Sequence, residues 1–101
     1  MEAHDRDEMI GRIYRQQADF RKAVSFIDAE LSEAAAAFKK VATQIECLIS
    51  HQPSDVGSAL SRINADRIIK IIGERERLQR RLADTREQLK RLGARPSSPT
   101  D

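Results

Sequence analysis

Along the first half of this chain one set of positions recurs in alternating steps of three and four: Ile10, Ile13, Gln17, Phe20, Val24, Ile27, Leu31, Ala34, Phe38, Val41, Ile45 and Leu48. Eleven of these twelve are apolar, and a repeat of that kind marks the seam of a coiled coil. Glu, Lys, Arg, Gln and Ala fill the positions between them, good helix formers that no Pro interrupts. The spacing predicts one helix over about residues 5–50. A second, less pure seam runs through Ser61, Asn64, Ile68, Ile71, Arg75, Leu78, Leu82, Thr85, Leu89 and Leu92, which predicts a helix over about residues 58–93. Gly93 suits a C-terminal cap. Between the seams, residues 51–57 form a turn. Pro53 disfavours helical geometry at Gln52, and Ser54, Asp55 or Ser58 offers an oxygen to cap the next helix.

Two such seams in one chain predict an all-α fold, an antiparallel two-helix coiled-coil hairpin over residues 9–93. Residues 1–8 are polar and expected to fray, and residues 94–101 form a Pro/Ser tail expected to be disordered. A reversal at Ser54–Asp55 implies cross-helix partners whose numbers keep a constant sum. It sets Val41 by Ile68, Phe38 by Ile71, Ala34 by Arg75 and Phe20 by Leu89. The same register brings Glu30 near Arg81 and Asp28 near Arg86.

The first helix, at about 70 Å, outruns the second, at about 55 Å. Ile10, Ile13 and Tyr14 are therefore expected to project past the end of the second helix. Outside the seam, Ala35, Ala42 and Ile49 on the first helix and Ala65, Ile69 and Ile72 on the second form an apolar flank. A two-helix layer buries little surface for its size, so these nine residues are the expected interface of a homodimer, a four-helix bundle or a larger helical oligomer.

Composition narrows the function classes. With 101 residues, 34% of them charged and 4% aromatic, the chain fits one small domain without a wide aromatic core. One Cys excludes an intrachain disulfide framework and suits a reducing compartment. No run is long and apolar enough to span a membrane, and the acidic start does not resemble a signal peptide. A cytoplasmic protein is the expectation.

Charge is distributed unevenly. Residues 1–50 hold seven Lys/Arg and nine Asp/Glu, whereas residues 62–95 hold eleven and five. On the second helix Arg67, Lys70, Arg77, Arg81, Arg91 and Arg95 fall in one stripe, interrupted by Glu74 and Asp84. Such a stripe suits phosphates or an acidic protein face. The second helix carries no aromatic residue for base stacking and no helix-turn-helix pattern.

Candidate chemistry is sparse. Cys47 and His51 share a helix face by spacing, but a metal site needs more ligands, and the only other His is His4. No phosphate-binding Gly-rich loop, nucleophile elbow or HExxH pattern occurs. The expected protein is therefore not an enzyme and takes no cofactor, metal or small-molecule substrate. It is a non-enzymatic protein-interaction module of the adaptor, assembly-chaperone or inhibitor kind, with itself and another protein as partners. The alternative is a small nucleic-acid-binding regulator that uses the basic stripe.

Overall fold

The computed structural model describes residues 3–94. It is all-helical, with α1 over Ala3–Ile49, α2 over Val56–Ser61 and α3 over Ala65–Arg91, and no strand occurs among the described residues. Arg95 and the rest of the Pro/Ser tail lie outside them. Residues 3–8, expected to fray, are the first turns of α1; His4 Nε2 lies 3.3 Å from Glu8 Oε1 one turn on.

Capping explains where the helices stop. At the end of α1 the Gln52 N–H donates to Cys47 O at 2.8 Å and the His51 N–H to Leu48 O at 3.1 Å. That pair of bonds is a Schellman motif, and it sets His51 in the left-handed region with φ 57. At the end of α3 the same motif recurs: Ala94 N–H donates to Leu89 O at 2.8 Å and Gly93 N–H to Lys90 O at 3.0 Å. Here the left-handed position belongs to Gly93, φ 76, as the sequence predicts.

The expected second helix is split in two, and the break falls at residues 62–64. Asn64, expected in the seam, is exposed and caps α3 instead: its Oδ1 accepts from the Arg67 N–H at 3.0 Å. Asp55 occupies the N-cap position of α2 but makes no side-chain cap bond there. Its own N–H donates to Gln44 Oε1 on α1 at 2.7 Å, so a side chain of α1 anchors the start of α2.

The chain divides into two compact units, one of Met1–Phe26 with Gly73–Asp101 and one of Ile27–Ile72. In the first, Arg6 Nε donates to Leu92 O at 2.8 Å, and the Arg81 guanidinium stands 5.8 Å from the Phe20 ring centroid. The segments of α1 and α3 therefore run in opposite directions within this unit. Ile13, Gln17 and Val24 from α1 are buried, as are Leu82, Thr85 and Leu89 from α3. All six are seam positions. Each fully buried aliphatic side chain contributes on the order of 1.5–3 kcal/mol. Thr85, inside this core, satisfies its hydroxyl by donating to Leu82 O at 2.7 Å.

These contacts correct the expected register. Phe20 lies by Arg81, about two turns of α3 away from Leu89. Ile13 does not project past the end of α3: it is 5% exposed, and Ile10 and Tyr14 are half-buried. Arg6 reaching the last carbonyls of α3 accounts for the difference, because it brings the end of α3 level with the first turns of α1.

In the second unit, Glu30 pairs with Arg67 rather than with Arg81, through two bonds of 2.8 and 3.1 Å. Ile27, Val41, Ala59 and Ile71 are buried. The covered positions of α1 here are Ile27, Glu30, Leu31, Ala34, Ala37, Val41, Gln44 and Cys47, and from Ala34 on they follow in steps of three or four. Phe38 and Ile45, expected in the seam, each lie one residue past a covered position, about 100° round the helix, and are exposed. The covered face thus keeps Ala34 and Val41 of the predicted stripe and takes Ala37 and Gln44 in place of Phe38 and Ile45. Small Ala34 and Ala37 admit close packing where Phe38 does not.

Candidate interaction surface

The second unit carries more uncovered apolar surface than its covered core explains. On α1 the exposed residues are Phe38, Ile45, Leu48 and Ile49; on α2, Leu60; on α3, Ile69 and Ile72. Their exposures run from 43% for Ile45 to 73% for Ile49. Scattered single apolar side chains are ordinary on a protein surface, whereas a contiguous group marks a contact site.

On α1 the group is contiguous. Ala35, Phe38, Ala42, Ile45 and Ile49 follow each other in steps of three, four, three and four, and all five are exposed. They form a stripe about 21 Å long, beside the covered stripe of Ala34, Ala37, Val41 and Gln44. Lys39 and Glu46, also exposed, border it on the side away from Val41 and Leu48. Of the predicted interface residues, Ala35, Ala42, Ile49, Ala65, Ile69 and Ile72 are thus at the surface of the second unit. Ile13 is core, and Ile10 and Tyr14 are half-buried. Phe38 and Ile45 were missed because a strict seam assigns them inward.

The basic residues are placed less uniformly than the sequence implies. Arg67 forks onto the Glu30 carboxylate, and its hydrogen bonds, opposed by partial desolvation and aided by its charge, hold the Glu30 carboxyl below the usual carboxylate range. Arg81 lies over the Phe20 ring, and Arg91 lines a small apolar hollow with Met9, Ile13, Gln88 and Leu92. Lys70 and Arg77 are exposed.

An open cleft of about 310 Å³ lies in the second unit between Glu30, Glu33, Arg62, Asn64 and Arg67. Its best-placed carboxylate and guanidinium already engage each other, and Asn64 is committed to its cap. Cys47 is half-buried, and the backbone of His51 serves the α1 cap. Among the described residues no group of three or more His, Cys, Asp or Glu side chains is placed to hold a metal ion. No helix among them is long and apolar enough to cross a membrane.

Comparison with protein-family models, with curated proteins and with solved structures finds no match to this chain.

Proposed function

We propose that this chain is a non-enzymatic protein-interaction module, a helical hairpin that self-associates through the apolar surface of its second unit. One observation carries the reading: seven large apolar side chains of α1, α2 and α3 stand 43% or more exposed within Ile27–Ile72. Leaving them in water is costly, and covering them regains about 25 cal/mol per Å² of apolar area. The stripe on α1 has the three-and-four spacing that packs against another helix, and a second copy supplies an identical helix at the same concentration. Opposed contacts of Arg6 with Leu92 and of Phe20 with Arg81 support the hairpin within the first unit, and the Glu30–Arg67 fork ties α1 to α3 within the second. Surfaces of this kind suit adaptors, assembly chaperones and inhibitors that cover a larger protein.

The test is the mass of the full chain in solution, by light scattering over a dilution series. Ile45→Asp and Ile69→Asp each change an exposed residue, so helicity by circular dichroism is expected to stay at the wild-type level. Mass is expected to fall to that of one chain in Ile45→Asp. A wild-type chain that stays a single-chain species up to several hundred micromolar would overturn the reading.

A further inference from the structure

The α1 stripe is more specific than an apolar patch. Its members alternate small and large up to a final large pair: Ala35, Phe38, Ala42, Ile45, Ile49. If two copies ran parallel, like would meet like. Two Ala42 side chains would leave a gap in one layer, and two Phe38 rings would crowd another. Running antiparallel, with a two-fold axis near Thr43, Ala42 of one copy packs beside Ile45 of the other, and Phe38 beside Ile49. Large then meets small between Ala42 and Ile45, and the aromatic ring meets a branched aliphatic chain, so no layer holds two Ala or two Phe side chains.

Charge selects the same arrangement. Lys39 and Glu46 are seven residues apart on one border of the stripe, and both are exposed. Two-fold antiparallel helices bring like borders together, so Lys39 of each copy lies opposite Glu46 of the other. In a parallel pair each of these borders would instead meet the side carrying Val41 and Leu48, where no charge answers it. The opposite border is apolar in both arrangements.

We propose that a second copy of this chain docks antiparallel on the 35–49 face of α1, with Lys39 of each copy opposite Glu46 of the other. This rests on the self-association proposed above and gives it a geometry. A stripe about 21 Å long and roughly one helix wide covers less than the ~800 Å² per partner of a standard interface. The pairing is therefore weak and dissociates in the micromolar range, where protomers exchange freely.

The experiment is sedimentation equilibrium on the full chain in four forms: wild type, Lys39→Glu, Glu46→Lys and the double variant. Each single change sets two like-charge pairs across the axis, and the dissociation constant is expected to rise about tenfold at low salt. The double variant restores opposite charges in reversed order and is expected to return to within about threefold of wild type. Mixing the two single variants is expected to give a heterodimer tighter than either homodimer. Lys39 and Glu46 are both exposed and helical, so circular dichroism checks that no variant loses its fold. Dissociation constants unchanged by all three variants would overturn the antiparallel pairing, and if Ile45→Asp still dissolved the dimer, the broader reading would stand. A wild-type chain that never dimerises would remove both.

Discussion

Two residues occupy equivalent places in this protein with unequal fitness for them. His51 and Gly93 each take the left-handed position that closes a helix, φ 57 and φ 76. A side chain at that position brings Cβ against the following carbonyl oxygen, at about 1–2 kcal/mol, whereas glycine has no Cβ to clash. His51→Gly relieves the clash and gives part of the gain back as unfolded-chain entropy. A net stabilisation of about 0.5–1 kcal/mol is expected. Gly93→Ala should lose about 1 kcal/mol or more. Its new Cβ would also come 3.2 Å from Arg6 Nη2, a contact that a flexible guanidinium can relieve. Urea midpoints of the two variants measure both effects, and opposite signs are the expected result. Equal shifts of the same sign would mean that these caps do not set the helix ends. Cys47, in the same cap, contributes its backbone carbonyl, so its nearness to His51 needs no metal to explain it.

Between helices, legibility was uneven, and the reasons differ from element to element. The seam of α3 reads directly from sequence: Ile71, Leu82, Thr85 and Leu89 are buried in their predicted order. On α1 the seam holds through Val24 and Ile27, and beyond Ala34 it keeps Val41 but gives up Phe38 and Ile45 to their neighbours Ala37 and Gln44. Register was not legible. Exposed ion pairs are worth little and α3 is rich in Arg, so Glu30 had several chemically equivalent partners and sequence could not rank them. The break before α3 was hidden as well, since Ser61-Arg62-Ile63-Asn64 contains neither Gly nor Pro. The fork that does form has a pH signature. Arg67 lowers the Glu30 pKa in the folded chain, so the stabilisation is fully present above the unfolded value of about 4.3. It is lost as pH falls through the lower, folded value. Glu30→Gln should therefore be less stable than wild type at pH 7, and the gap between their urea midpoints should close as pH drops below about 4. A gap that stayed constant down to pH 2 would show that the carboxylate charge is not what Arg67 holds.

For the chain as a whole, the competing reading is that its basic half binds nucleic acid, and the structure turns that reading into a number. Residues 62–95 carry an excess of cations, yet charge excess alone does not set phosphate contacts; side chains must be available to make them. Arg67 is engaged with Glu30 and Arg81 lies on Phe20, while Arg95 lies outside the described residues. Of the stripe, Lys70, Arg77 and Arg91 remain exposed, and three phosphate contacts from them release about three condensed counterions' worth of affinity. If these three alone meet phosphate, the logarithm of the binding constant for duplex DNA should fall against the logarithm of salt with a slope of about −3. From 50 to 200 mM salt that amounts to a loss of about fortyfold. Binding this weak is expected to vanish near physiological salt and to show no sequence preference, since no aromatic residue of α3 is available to stack on bases. Titration of fluorescent duplexes at four salt concentrations measures the slope, and Arg77→Glu with Arg91→Glu should weaken what binding there is without changing the mass in solution. A slope near −5 or steeper would require cations beyond these three, either Arg62, Arg80 and Lys90, which are also exposed, or Arg67 and Arg81 leaving their present partners for phosphate. In that event the basic half is a nucleic-acid-binding surface, and the apolar face of α1 would pair two such surfaces rather than recognise another protein.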